Sequence, residues 1–389
     1  MPRAQTFATD QRSTCYAVVN VGYQLTAVIV VPLAGMLVDA VGYAPAPLLI
    51  GYGAIQLVLG GAPEADEIMS LLAGSLAPST ARNYGDHLAR FIRWCEAQPD
   101  RPQAFPASTV TVLRWLASDV TVDDRVRAGS LQPYLSAINR VHRDMDEQEP
   151  ALGHLVQQFR RGLAHRQADM GRDARRVYLP PDVADRLMEW ALAQSADDLR
   201  RDADLRRRFR ASVAVLLTLC LFARGGTGSA LRVEHVRAGA GGITVTLDHE
   251  KGKRVEGTAR TITFPPGAIP GLEVLLRRWE ALRDAGGKCA AGRCYFAFAD
   301  ERASFPATAI DTWLGECLAQ LGAAPPAGEK WSGHSLRKCA ASGAAAVGVP
   351  LHKICYVGGW SIKSKAVFDY IDPTCPNTPA CVRFFGWLR

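Results

Sequence analysis

The chain has 389 residues, of which 48% are hydrophobic and 21% charged, and its formal net charge is +7. This composition excludes a disordered or collagen-like chain, and the length suffices for two or three domains with cores of their own. Ten scattered cysteines are too few for a disulfide scaffold. The first 80 residues carry two basic and five acidic side chains, whereas the remaining 309 carry 43 and 33. The positive excess after residue 80 suits a polyanionic partner.

Residues 1–75 predict an apolar N-terminal appendage. Residues 13–38 and 40–63 each lack a charged side chain, and both runs are long enough to span a membrane as helices. The sequence leaves two readings open, a two-helix membrane hairpin within residues 13–63 or a buried apolar segment of a soluble protein. The motif Gly35-Met-Leu-Val-Asp39 resembles a loop between helices of major facilitator transporters. A fused or vestigial segment, which would make the protein a membrane-tethered fusion product, is one interpretation.

Residues 76–165 predict a small all-α domain of four amphipathic helices. Tyr84, Leu88 and Phe91 recur at helical spacing in the first helix, and the later helices follow Pro106 and Ser130. The arginines that lie off the apolar stripes are candidates for DNA phosphate contacts: Arg82, Arg90, Arg93, Arg140, Arg143, Arg160 and Arg161. The alternative is an ordinary helical bundle with solvated arginines.

Residues 166–179 are polar and basic and predict a linker, which adds Arg175 and Arg176 to the candidate DNA contacts. Residues 180–389 predict a larger α+β domain. An apolar helix covers about 211–222, two alternating strands cover 243–247 and 258–264, and helices follow to the C-terminus.

The most reactive combination of side chains lies in this second domain. Transfer of a phosphoryl group needs cations on the nonbridging oxygens, and the planar forks of Arg224 and Arg337 suit that task. His334 can move protons near neutral pH, and Lys251, between the two strands, can protonate a leaving 5′-oxygen. The hydroxyl of Tyr370 can attack phosphorus and form a covalent phosphotyrosine.

These residues, in this order, resemble the tyrosine recombinase (phage-integrase) family and its Cre-like members in particular. The matching positions are Arg224, Lys251 in the hairpin, the segment Gly333-His334-Ser-Leu-Arg337, Gly358-Gly-Trp360 and the nucleophile Tyr370. The resemblance covers about residues 75–389. It implies a mainly α fold with a small antiparallel sheet, in which a helical core-binding (SAM-like) domain and a catalytic domain form a C-shaped clamp on double-stranded DNA.

Two positions depart from the family pattern. Thr227 stands where the family has an acidic residue, within a Gly-Gly-Thr-Gly stretch that weakens a helix beside Arg224. The spacing from Trp360 to Tyr370 is ten residues, one more than is common, which predicts a bulge or a shifted helix. Both departures keep open the alternative of a catalytically degenerate protein that binds DNA without cutting it.

The resemblance implies a site-specific recombinase or integrase, found on a mobile element, that breaks and rejoins DNA strands through a 3′-phosphotyrosine. In that mechanism Arg224 and Arg337 hold the phosphate, His334 and Trp360 support it, Lys251 is the general acid and Tyr370 is the nucleophile. No cofactor or metal is expected, because the sequence has neither a nucleotide-binding loop nor a zinc-type cluster. The protein would act where the DNA is, in a nucleus or a bacterial cytoplasm.

The C-terminal residues 381–389 are rich in bulky apolar side chains. In the family such elements dock on a neighbouring protomer, so a homo-tetramer on two DNA sites is expected. Packing of the tail on its own chain is the alternative.

Overall fold

The computed structural model describes residues 75–168, 175–239, 241–248, 259–287, 289–298, 301 and 304–389. The chain divides into two compact units between residues 171 and 172, inside the predicted linker. The predicted hairpin of residues 13–63 lies outside the described residues. Within the described ranges, no helix is both long enough and apolar enough to cross a membrane.

The described part of the first unit, residues 75–168, is all-α. Its main helices are α1 (Pro78–Ala97), α2 (Thr109–Trp115), α3 (Gln132–Asp144) and α4 (His154–Arg166). Phe91, Trp115 and Ile138, which come from three of these helices, are fully buried in its core. The apolar stripes that the sequence places on one face of each helix therefore meet in a common interior.

The second unit is also mainly helical. Its α-helices are α5 (Pro181–Ala193), α6 (Ala196–Arg201), α7 (Ala203–Cys220), α8 (Gly225–Ser229), α9 (Pro270–Arg283), α10 (Ala309–Gln320), α11 (Gly333–Ala346), α12 (Leu351–Gly358) and α13 (Pro379–Phe385). Helix α7 is central, because every residue from Phe209 to Cys220 is buried and α5, α9, α10 and α11 all pack on it. This position explains the largely apolar sequence from Ala211 to Cys220, since a helix surrounded by others has no polar face. The two hydroxyls in that stretch, on Ser212 and Thr218, donate to carbonyls of their own helix.

A small antiparallel sheet of strands β2 (Val236–Gly239), β3 (Gly242–Leu247) and β4 (Arg260–Phe264) completes the second unit, in the order β2-β3-β4. Val245 pairs with both Val236 and Ile262, and these apolar residues face the core. The fold class expected from the sequence, mainly α with a small antiparallel sheet, is confirmed.

A second, two-stranded sheet lies at the start of this unit. Strand β1 (Arg175–Arg176) pairs in parallel with β5 (Glu329–Lys330). Leu179 follows, is buried, and donates its backbone N–H to the carbonyl of Ser335 at 3.2 Å. The end of the predicted linker, residues 175–179, is therefore part of the second unit, because its backbone hydrogen bonds are made with β5 and α11.

The C-terminal tail packs on its own chain. Phe384 and Phe385 are fully buried, and the rings of Phe385 and Phe222 lie 5.6 Å apart. The Nε atom of Arg389 donates to the carbonyl of Val347 at 2.6 Å. In the single chain, Phe384 and Phe385 therefore pack in the core of their own unit, which is the alternative that the sequence left open. Docking of the tail on a neighbouring protomer stays a prediction.

Candidate active site

Arg224 lies where the chain passes from α7 to α8. It is the N-cap residue of α8, and its carbonyl accepts hydrogen bonds from the N–H groups of Thr227 and Gly228, both at 2.9 Å. The sequence predicted an apolar helix to about residue 222, just before Arg224, but α7 ends at Cys220 and a turn intervenes. The glycine stretch forms a short helix of its own, and the Arg224 side chain is half-buried beside it.

Helix α11 begins directly against this turn. A Cβ atom on Gly333 would lie only 3.4 Å from the Cα atom of Gly225, so the backbones of α8 and α11 approach closely. The N–H of Gly333 donates to Oδ1 of Asp311 at 2.7 Å, which fixes the start of α11 on α10. This packing brings Arg224 near His334, the next residue of α11.

The exposed His334 has cations for neighbours. Desolvation of its ring lowers its pKa from the ordinary 6.5, and the charges of Arg176, Arg224 and Arg337 lower it further, while Asp311 opposes them. The unprotonated imidazole is therefore favoured in the absence of an anion. A phosphate placed among these groups would raise the pKa again, because it stabilises the protonated ring.

Arg337 lies one turn further along α11 and is fully buried. Its guanidinium donates to the carbonyl oxygen of Phe222 and, at 2.6 Å, to that of Gly358. Its Cζ atom lies 3.9 Å from the centroid of the Trp360 ring and 5.4 Å from that of Tyr370. The arginine thus joins the turn before Arg224 to the Gly-Gly-Trp segment and lies beneath two aromatic rings.

Trp360 is held in place by the two glycines before it. A Cβ atom on Gly358 would overlap the Trp360 ring, and Gly359 ends α12 in the left-handed conformation at φ +67°. Glycine adopts that conformation without steric cost. The ring, which is 9% exposed, therefore packs directly on the backbone of α12.

Tyr370 follows a 3₁₀ helix, Lys365–Asp369, which Ser364 caps at its N-terminus and the buried Val367 anchors in the core. The tyrosine is half-buried, and its ring centroid lies 5.1 Å from that of Trp360 at an interplanar angle of 54°. The ten-residue spacing is accommodated by a turn and this tighter helix.

The structure thus brings Arg337, Trp360 and Tyr370 into mutual contact, and it places His334 within electrostatic reach of both Arg224 and Arg337. Lys251 lies outside the described residues. Two residues at this site were missed by the sequence analysis, Asp311, which holds the start of α11, and Ser342, which contacts the backbone at Tyr370. No local pattern marks either residue, because each acts on a segment that is distant in sequence.

The candidate DNA-contacting arginines fall into two groups. Ion pairs hold Arg90 with Asp119 at 2.7 Å, Arg140 with Asp144 at 2.7 Å and Arg143 with Glu149 at 2.8 Å, and Arg160 donates to Gln132. The others are exposed and form no ion pair with any described residue: Arg82, Arg93, Arg161, Arg175 and Arg176. The second group has the charge that a phosphate backbone can attract.

Comparison with known proteins identifies the fold. No protein-family model and no curated protein matches the sequence. Among solved structures, the site-specific recombinase XerH in a pre-cleavage complex with a difH substrate matches with a TM-score of 0.51 and 13% identity, over 82% of this chain and 81% of that one. XerH in a post-cleavage complex matches with a TM-score of 0.50 and 11% identity, over 86% and 85%. The chain has the tyrosine recombinase fold, as the resemblance predicted.

Proposed function

We propose that the protein is a site-specific tyrosine recombinase or integrase that breaks and rejoins double-stranded DNA. The phenolic oxygen of Tyr370 attacks a backbone phosphorus atom, and the bond from phosphorus to the 5′-oxygen breaks. The product is a 3′-phosphotyrosine, and a 5′-hydroxyl of a partner strand attacks it to restore a phosphodiester. The bond energy is conserved in the ester, so the reaction needs no nucleotide cofactor.

The charge and chemistry of each residue support the following roles, and that of Lys251 rests on the family resemblance alone. Arg224 and Arg337 stabilise the negative charge that develops on the nonbridging oxygens, which is the main requirement of phosphoryl transfer. His334 supports the same phosphate, and its ring is protonated there because the phosphate raises its pKa. Trp360 closes the site on the side of Tyr370, and Lys251 protonates the leaving 5′-oxygen.

The observation that carries the proposal is the contact among Arg337, Trp360 and Tyr370. Each comes from a different segment, and the guanidinium lies 3.9 Å and 5.4 Å from the two ring centroids. A tyrosine beside a buried arginine is suited to attack on a phosphate, because the cation would stabilise the pentavalent transition state.

A phosphate does not reach Arg337 in the arrangement described, because the guanidinium is fully buried. We therefore propose that the Tyr370 ring moves off Arg337 when DNA enters. The ring is only half-buried, so its side chain can turn toward solvent without a displacement of the buried core.

The proposed partner is double-stranded DNA. XerH was solved with DNA substrates. In this chain the exposed arginines of α1, α4 and β1 supply the positive charge, and we propose that the two units close on the duplex as a clamp. Assembly of four copies on two DNA sites remains part of the proposal.

A nicked duplex tests the function directly. A nick close to the cleavage point lets the short product strand diffuse away and traps the covalent intermediate. Because the target sequence is unknown, we would use a library of random nicked duplexes and recover DNA attached to protein after denaturation. Adducts with the wild type and none with Tyr370→Phe are expected.

A second candidate function is DNA binding without cleavage. The observation that favours it is the burial of Arg337, whose guanidinium contacts backbone carbonyls and so has a structural role as well. Retention of DNA by the wild type without any adduct across the library would establish this alternative.

A further inference from the structure

One buried hydroxyl holds the main chain at Tyr370. Ser342 lies on α11 and is 1% exposed. Its Oγ donates to the carbonyl of Tyr370 at 3.1 Å and accepts the N–H of Asp372 at 2.8 Å. The side chain therefore bridges the backbone groups on either side of Ile371.

The other backbone group of Tyr370 is also engaged. Its N–H donates to the carbonyl of Val367 at 3.0 Å, within the 3₁₀ helix. Val367 is 1% exposed and anchors that helix in the core. The Cα atom of Tyr370 is thus fixed from both sides, and the remaining freedom of the phenol is in its side-chain torsions.

The carbonyl of Tyr370 needs a hydrogen-bond donor from another element. Tyr370 is the C-cap residue of the 3₁₀ helix, and the carbonyls at the end of a helix have no N–H partner inside it. The hydroxyl of Ser342 satisfies one such carbonyl. Because Tyr370 is half-buried, water can replace a lost Ser342 hydroxyl at its carbonyl only if the segment around Tyr370 moves outward.

Helix α11 links this anchor to the cations of the site. His334, Arg337 and Ser342 all lie on it, and eight residues of α-helix span about 12 Å. Helix α11 therefore carries two of the proposed phosphate ligands, His334 and Arg337, and further along it holds the backbone of the proposed nucleophile through Ser342. In the proposed function, this helix therefore couples the position of the Tyr370 backbone to that of two phosphate ligands.

We propose that Ser342 is a positioning residue that fixes the Tyr370 backbone for in-line attack on the phosphate. The inference rests on the proposed function, since it assigns a role in the step that Tyr370 performs. Ser342 itself touches neither DNA nor the reacting atoms.

The test replaces Ser342 with alanine, which favours the helical conformation and so maintains α11. A matched control is Ser212→Ala, which removes another fully buried hydroxyl, whose partners among the described residues are the carbonyl of Arg208 in its own helix and the thiol of Cys317. Each variant is assayed with a nicked duplex recovered from the library, at saturating DNA and in a single turnover.

A misplaced nucleophile slows the chemical step and leaves binding intact. We expect Ser342→Ala to reduce the rate of adduct formation by about 10- to 100-fold, as a displacement of roughly 1 Å does at a reacting centre. Its Kd for DNA and its melting temperature should match those of Ser212→Ala. An adduct rate within twofold of that of Ser212→Ala would overturn the inference, as would a loss confined to Kd.

Hydrogen exchange separates this inference from the proposed function, because it needs no DNA. In Ser342→Ala the amide of Asp372 should exchange at least about tenfold faster, since its acceptor is gone, while amides of α7 keep their protection. Unchanged exchange at Asp372 would refute the anchor even in a protein that cleaves. Absence of any wild-type adduct would instead refute the proposed function, whatever the exchange shows.

Discussion

At the scale of single residues, Arg337 determines how the site is built. A buried guanidinium is costly unless acceptors surround it, and the carbonyls of Phe222 and Gly358 provide them. Phe222 supplies its carbonyl from the left-handed region at φ +52°. The sequence motif predicted that Arg337 belongs to the site, but no motif could predict that its fork would contact two backbone segments.

Gly358 leaves no room for a side chain beside Trp360. We predict that Gly358→Ala pushes the ring away from Arg337 and reduces the free energy of unfolding by about 1–3 kcal/mol, the usual cost of overpacking. Urea denaturation measures this loss. Gly315→Ala is the matched control, because a Cβ at that exposed helical position meets nothing within 4 Å and should stabilise slightly. Equal stabilities for the two variants would contradict the packing described.

The charge on His334 should depend on its neighbours in opposite directions. We predict a pKa below 6.5 in the free protein, a higher pKa in Arg176→Ala because a repelling cation is gone, and a lower pKa in Asp311→Asn because an attracting anion is gone. NMR titration of the His334 ring measures all three. Addition of duplex DNA should raise the wild-type pKa, and a pKa that DNA leaves unchanged would show that no phosphate lies beside His334.

At the scale of elements, the glycine turn at α8 explains how Arg224 is presented. A Cβ atom on Gly228 would overlap Oγ1 of Thr218 in α7, so this glycine permits close packing of the two helices. The sequence suggested that the glycines could misorient Arg224. The structure gives both glycines a packing role: Gly228 packs on α7, the helix just before it, and Gly225 packs on α11, which is distant in sequence.

A double-mutant cycle tests that packing. We predict that Gly228→Ala destabilises the second unit by about 1–3 kcal/mol because it overpacks the contact with α7. Thr218→Ala removes the atoms that clash and costs less, since its hydroxyl bonds only within its own helix. The double variant should therefore be more stable than the sum of the single effects, as thermal or urea unfolding would show. Strict additivity would mean that the two residues do not touch.

The elements that the sequence missed are those without a local pattern. The long helix α7 and strands β3 and β4 follow from apolar periodicity. Strand β1 consists of two arginines, and β2 of Val-Arg-Ala-Gly, so neither alternates in hydrophobicity. Both exist because a partner strand supplies backbone hydrogen bonds. The apolar tail shows the same limit, since buried phenylalanines look alike whether they pack on their own chain or on another.

At the scale of the whole molecule, the basic residues after residue 80 fall into those that form ion pairs within the fold and those that are exposed. Ion pairs neutralise Arg90, Arg140 and Arg143, whereas Arg82 and Arg93 are exposed on α1. The latter two are eleven residues apart, so they lie on nearly the same face of the helix. Counting arginines in the sequence could not separate these groups, because acids such as Asp119 and Glu149 approach them only in the fold.

We predict that Arg82→Ala and Arg93→Ala each weaken DNA binding and reduce the slope of log Kd against log salt concentration by about 1. The control is Arg143→Ala combined with Glu149→Ala, which removes an ion pair and leaves the net charge unchanged. Fluorescence anisotropy at several salt concentrations measures each slope. A reduction in the control as large as in Arg82→Ala would show that α1 does not face the phosphates.

The identity of the residue that carries DNA tests the proposed function most directly. Adducts trapped on nicked duplexes would be digested with protease and nuclease, and the nucleotide-modified peptide sequenced by mass spectrometry. The account predicts that Tyr370 carries the nucleotide and that Tyr370→Phe forms no adduct. The control Tyr356→Phe, which alters the exposed tyrosine on α12, should form adducts as the wild type does. A modified peptide that contains Tyr356 or a serine instead, or adducts that persist in Tyr370→Phe, would contradict it.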